Sequence, residues 1–226
     1  MPHAVGTIAR RRVSGAVATP ALVQAKNAVD VTATSITATF DSTPTQNNLL
    51  VSVLGASGGI GTITQPTGWT MVTGTPLDSA GNSPNSGGRP VACAWKIAGA
   101  GESSAVTWSG NSNAMSCSAI EVSGLVTSSP VDQVTAAAFS NSVVSSLNLG
   151  TTGTTTVANE VAIAFCVDAA RTGQSLTNGF TLVDADGSRA IMGYKILSAT
   201  GTVQTTAAWT SGTSTCAGGI VTFKGL

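Results

Sequence analysis

The sequence predicts an all-β protein built from two tandem, sequence-related β-sandwich or jelly-roll units, preceded by an extended N-terminal arm. Three observations predict it. Short runs rich in Val, Ile, Thr and aromatic residues are separated by clusters of Gly, Pro, Asn and Ser, as strands are by turns. No long run carries the i, i+3, i+4, i+7 spacing of a capped helix; Ala16 to Ala28 comes nearest, and Pro20 interrupts it. Residues of the first half recur in order in the second.

These observations divide the 226 residues into an arm over 1–27, a first unit over 28–125 and a second over 126–226. Thr127-Ser128-Ser129-Pro130 is a very short junction, so the units should pack closely. An alternative arrangement closes both halves into one large sandwich about a pseudo-twofold axis.

The arm stands apart in composition. It holds four of the ten basic residues (Arg10, Arg11, Arg12, Lys26), the only histidine and no acid. Arg10-Arg11-Arg12 followed by Val13 to Ala18 faintly resembles an export signal, but Ser14, Gly15, Thr19, Pro20 and Gln24 break the apolar stretch, and no cleaved signal is expected. The arginine triplet has three readings: a solvated terminal cluster, an arm docking on an acidic patch of a neighbouring subunit, or a contact with packaged nucleic acid. Three charges supply little salt-dependent affinity for nucleic acid on their own.

In the first unit, Ser35 to Phe40 alternates polar and apolar, which turns one face to a core. Leu49 to Leu54 follows the turn Pro44 to Asn48, and Trp69 to Val72 follows Gln65-Pro66-Thr67-Gly68. Val91 to Ala98, Ala105 to Trp108 and Met115 to Val122 complete the expected strands.

The second half matches the first in pieces. Phe40 to Val72 aligns without a gap on Thr151 to Val183, setting Asn48 against Asn159, Leu50 against Val161, Gly68 against Gly179 and Trp69 against Phe180. Trp95-Lys96-Ile97 then matches Tyr194-Lys195-Ile196, which places the extra residues of the first half in the turn-rich stretch Asp78 to Pro90. Trp108 matches Trp209, and Ile120 to Leu125 matches Val221 to Leu226. Aromatics recurring at such positions are most simply core anchors, because each buries a large area.

Composition bounds the function. Hydrophobic residues make up 42% of the chain, enough for a real core, while charged residues are 9% against about 25% in ordinary soluble domains. Polarity comes from Ser, Thr, Asn and Gly, short side chains that lose little entropy when ordered against a neighbour. Net charge is zero, which argues against a nucleic-acid binder. No apolar run is long enough for a membrane-spanning helix.

Cys93, Cys117, Cys166 and Cys216 form no CxxC pair, so no zinc site is expected; each is read as a small buried hydrophobe in a strand.

Catalytic machinery is not apparent. His3 is the only histidine and lies in the arm, leaving no base for a Ser-His-Asp or Cys-His mechanism. No pair among the ten acids is singled out by spacing as the two carboxylates of a glycosidase. Asp184-Ala185-Asp186-Gly187 could open a calcium loop, but the later carboxylate is missing, and a hairpin turn is the simpler reading. No phosphate-cradling loop is present. The expectation is a protein that is not an enzyme, with no cofactor and no metal.

Asn48-Leu49-Leu50-Val51, Pro66-Thr67-Gly68-Trp69, Ala94 to Gly99 and Ser118 to Gly124, continued by Pro130-Val131-Asp132 and Thr154 to Glu160, resemble the β-sandwich modules of tailed-phage virion structural proteins. The resemblance covers Val29 to Leu226, and Asn47 stands where those modules commonly have Gly. It implies a minor tail or capsid-associated protein. The expected function is therefore structural: a capsid-bound decoration protein, or else a minor tail protein, in a virion assembled in the host cytoplasm. Its partners would be other virion proteins and copies of itself in a symmetric assembly, with Arg10, Arg11 and Arg12 as a partner-docking arm. The alternative is a carbohydrate-binding or adhesin module for a host glycan. The first-half loop Asp78 to Pro90 lacks the aromatic residue that a sugar-stacking platform would use.

Overall fold

The computed structural model describes residues 18–57, 62–77, 88–135, 138–168, 172–183, 187–210 and 214–226. These residues form antiparallel sheets without a helix, as the sequence predicts. The strands are β1 (Ala21–Thr39), β2 (Leu49–Ala56), β3 (Thr70–Met71), β4 (Val91–Ile97), β5 (Ala105–Ser123), β6 (Val131–Val134), β7 (Ala138–Val144), β8 (Ser146–Thr151), β9 (Val161–Val167), β10 (Ser175–Leu176), β11 (Thr181–Leu182), β12 (Ala190–Ile196), β13 (Gln204–Ala208) and β14 (Ser214–Phe223).

The first central sheet runs β3-β4-β2-β5-β1. The second runs β11-β12-β9-β14-β6, with β7 also on β14. Strands at corresponding places in the two halves thus hold corresponding places in the two sheets. A third, small sheet, β10-β13-β8, covers the second half. Over the first half the same role falls to the far ends of β1 and β5, where Ser35–Thr39 pair with Ala105–Ser109. Register shifts on β1 between Ala28 and Val31 and between Ala33 and Ser35 are the irregularities that let a long strand bend from one layer to another.

Three apolar clusters fill the layers. The central one is shared: Leu49, Val51 and Val53 of the first half meet Val161, Ile163, Phe165 and Val167 of the second. One outer cluster joins Leu50 and Leu54 to Ile36, Trp69, Val106 and Trp108. The other joins Ala162, Ala164 and Cys166 to Leu149, Phe180, Ala207 and Trp209. β2 and β9 are therefore buried on both faces, which explains why neither alternates polar with apolar residues. Each fully buried Leu, Ile or Phe contributes about 1.5–3 kcal/mol of transfer free energy, and the central cluster collects it only when both halves are in place.

Gly55 sets how closely the central sheets approach. A Cβ there would lie 2.8 Å from Ala190 N and 2.9 Å from Ala190 Cα, so any larger residue would meet backbone rather than a movable side chain.

Several sequence expectations shift. Ala21 to Asn27, assigned to the arm, form the start of β1 and pair with Ser118–Ser123 of β5. Ala105–Trp108 and Met115–Val122 belong to one strand. The ungapped alignment of Phe40–Val72 on Thr151–Val183 is one residue out over β2. Leu49 faces Ile97 as Val161 faces Ile196, so Val161 corresponds to Leu49, and Leu50 to Ala162. Asn159 likewise corresponds to Asn47, and both have positive φ, 57° and 71°. The alignment is correct at Gly68 and Gly179, with φ of 80° and 77°, and where Thr70 faces Trp95 as Thr181 faces Tyr194. Trp108 faces Ile36, whereas Leu147 faces Ala207, so strand pairing puts Ala207, not Trp209, at the place of Trp108.

The aromatics behave as anchors. Trp69, Trp108, Phe180 and Trp209 are buried, and Trp95 and Tyr194 pack half-buried against the shared core. Trp95 meets Phe223 edge-on across that core, with ring centroids 6.2 Å apart. All four cysteines are buried, each in a strand as expected.

Candidate functional site

The outer face of the first half carries an open cleft of about 380 Å³. It is lined by the segment Thr64–Thr67 and Trp69 on one part of the chain and by Glu102, Ser103 and the β5 residues Ala105, Thr107 and Ser109 on the other. Its origin is local. In the second half the corresponding segment lies zipped to β13: Thr177 N donates to Thr206 O at 3.2 Å, and Thr206 N donates to Thr177 Oγ1 at 2.9 Å. Asn178 Nδ2 donates to Gln204 O at 3.0 Å.

In the first half the pairing begins the same way, with Thr64 and Ser109 exchanging both backbone bonds at 2.9 and 3.1 Å. The residue matching Thr177 is Pro66. Proline has no N–H to donate, so the zipper stops and the walls separate. The turn beyond is kept in both halves, with Trp69 N donating to Pro66 O at 3.0 Å and Phe180 N to Thr177 O at 3.4 Å.

The cleft is polar but nearly neutral. Thr64, Thr67, Ser103, Thr107 and Ser109 are exposed hydroxyl residues, and Gln65 is half-buried. Its carboxylate is spoken for: Lys96 Nζ donates to Glu102 Oε1 at 2.8 Å, and Gly99 N donates to Oε2 at 3.0 Å. Partial burial pushes the Glu102 pKa up, but the Lys96 and Gly99 bonds outweigh it and hold the acid below its ordinary value. Pro66, Ala105 and the largely covered Trp69 give the cleft a small apolar floor.

Two buried acids occupy related corners of the central sheets. Glu121 on β5 accepts from Gln24 Nε2 at 2.5 Å, Asn48 Nδ2 at 2.5 Å and Thr45 N at 2.8 Å. Burial raises its pKa, yet these bonds overcome it and the group is an ionised, satisfied carboxylate. It ties the edge strand β1 and the turn before β2 to the sheet.

In the second half the chemistry is exchanged. Strand pairing puts Thr222 at the place of Glu121, and Glu160 at the place of Asn48. Glu160 is fully buried, and neither carboxyl oxygen has a well-formed hydrogen bond among the described residues. Burial, reinforced by the nearby Asp132 and opposed by Thr222, raises its pKa to about 7. Asp132 goes the other way: bonds from Thr156 N at 2.6 Å and Thr156 Oγ1 at 2.7 Å outweigh its desolvation and lower its pKa. Asp132 and Glu160 are far apart in sequence, and no spacing signal announced the pair.

Four of the exposed large apolar side chains lie on outer strands. Val23 (48% exposed) and Val29 (41%) lie on β1, the outer strand of one central sheet. Phe139 (49%) and Val143 (66%) lie on β7, which flanks β14 in the other.

The residues first proposed for docking, Arg10, Arg11 and Arg12, lie outside the described residues, as do His3, Asp184 to Asp186 and most of the Asp78 to Pro90 loop. No group of three or more His, Cys, Asp or Glu able to hold a metal occurs among the described residues, and no described helix is long and apolar enough to cross a membrane.

Fold and surface together define an antiparallel β-sandwich protein with a polar cleft on one outer face and apolar edge strands. No protein-family model, curated protein or solved structure matches the chain.

Proposed function

We propose that this chain is a structural protein of a tailed-phage virion, a capsid-bound decoration protein or else a minor tail protein, acting through protein–protein contacts. The observation that carries the reading is the placement of Phe139, Val143, Val23 and Val29. Large apolar side chains this exposed cost solubility, and here four of them sit on outer strands of the central sheets. Outer strands that also present apolar side chains suit strand-to-strand or face-to-face docking.

Composition supports the same reading. A surface poor in charge and rich in short Ser, Thr and Asn side chains loses little entropy on being covered. The motif resemblance over Val29 to Leu226 supplies the virion itself.

Mass spectrometry of particles purified from the phage that encodes the chain tests the proposal. The expected result is the chain present at a copy number in fixed ratio to a symmetric shell or tail component. Particles that lack it contradict the proposal.

A further inference from the structure

We propose that the Pro66 cleft is a binding site for a neutral saccharide of one or two rings. The inference does not rest on the assembly reading, since the cleft and the apolar strands are different surfaces.

A volume of about 380 Å³ falls at the small end of ligand sites, too small for a folded partner's loop and ample for a disaccharide.

A lipid or aromatic ligand would need apolar walls, and these walls are largely hydroxyl groups. A phosphate or sulfate ester would need uncommitted cations. No cation lines the cleft among the described residues; Lys96 is bound to Glu102 at 2.8 Å, and the carboxylate itself repels anions. What remains is a neutral ligand dense in donors and acceptors. The Thr67 and Ser109 hydroxyls and the Gln65 amide can both give and accept hydrogen bonds, while Thr107 Oγ1 already pairs with Thr37 Oγ1 at 2.8 Å. Pro66 and the rim of Trp69 supply a small apolar floor for the C–H face of a sugar ring.

The same chain shows what this place looks like without the cleft: Thr177 in place of Pro66, and the strands zipped through Thr205 and Thr206. Gly201 takes the place of Glu102, so the second half also lacks the carboxylate. Among the described residues the opening and its acid occur together in the first half.

Binding would run through hydroxyl and amide hydrogen bonds with little stacking, because Trp69 is only 8% exposed. Affinity should therefore be weak for a single site, with a dissociation constant of roughly 0.1–1 mM, and useful when many copies act together.

The test uses the full chain on an array of neutral and acidic oligosaccharides, with saturation-transfer NMR against the neutral hits. Two variants accompany it. Ser109→Trp fills the cleft from an exposed position, and Pro66→Thr restores the donor that zips the second half. The proposal expects neutral glycans to bind, and at least a tenfold loss in both variants with melting temperature unchanged in Ser109→Trp. It is overturned if no neutral glycan binds the wild type at concentrations of about 10 mM, if only acidic glycans bind, or if Ser109→Trp binds as the wild type does. Should Pro66→Thr fail to fold, Ser109→Trp alone decides.

Discussion

The indole N–H of Trp108 donates to Ser52 Oγ at 2.8 Å, deep in the first outer core. Ser52 in turn donates to Ser118 O at 2.9 Å, so both polar groups are satisfied. Trp209, in the second outer core, has a buried Nε1 without a partner among the described residues. A buried donor left unpaired costs about 1–3 kcal/mol. Trp108→Phe should therefore destabilise the chain by about 1–3 kcal/mol more than Trp209→Phe, since the first loses a bond and the second removes an orphan. Urea titration of the two variants reads the difference; equal losses would refute the assignment.

Glu160 gives stability a definite pH dependence. Its folded pKa is raised to about 7 from 4.5, so between these values the folded chain binds a proton that the unfolded chain does not. The stabilisation is complete below pH about 4.5 and is lost as pH rises through about 7, on the order of 3 kcal/mol in all. Glu102, Glu121 and Asp132 have lowered values and act oppositely, losing their contribution only as pH falls through the acid range. Glu160→Gln stays neutral, so it should flatten the slope between pH 5 and 8 and leave the acid limb in place. Denaturant midpoints across that range check it.

Gly55 should not tolerate even a methyl group. Its would-be Cβ lies 2.8 Å from the Ala190 backbone nitrogen, and relief requires the two central sheets to move apart. Gly55→Ala should cost about 1–3 kcal/mol by overpacking, read as a lower thermal midpoint. Gly74→Ala, where a Cβ meets nothing within 4 Å, compares a glycine of positive φ with open space around it, so its loss reports backbone strain alone.

The apolar outer strands predict a variant that folds but does not assemble. Phe139→Ser with Val143→Ser removes two exposed side chains, so stability should change by less than about 1 kcal/mol. Incorporation into particles should fall sharply, as measured by the ratio of this chain to the major shell or tail protein.

The fold class was legible because its signals are local. Pro66-Thr67-Gly68-Trp69 and Thr177-Asn178-Gly179-Phe180 each end in a glycine of positive φ before a buried aromatic, and that chemistry survives at a fixed spacing. The register of β2 against β9 was not legible. Leu49 to Leu54 and Val161 to Cys166 are buried on both faces, so they lack the polar–apolar alternation that fixes which residue faces which side. A slip of one residue exchanged the shared core for the outer one without leaving a trace in the sequence.

The cleft was half legible. Pro66 was visible as a turn residue, but its effect depends on what Thr177 does in the other half, a comparison that needs the strand pairing. The Asp132–Glu160 pair was not legible at all, because the two acids meet only through the pairing of β6 and β9 with β14. Ala21 to Asn27 misled for another reason. A basic, acid-free terminus resembles a free arm, yet Lys26 forms an ion pair with Asp41 at 2.8 Å and Gln24 bonds to Glu121, contacts that hold the segment on the sheet.

An electron-microscopy map of the native particle should show this chain within the shell or tail density, with Phe139 and Val143 of β7 and Val23 and Val29 of β1 covered by neighbouring subunits. A map in which those strands face solvent, or in which the chain has no density, would contradict it.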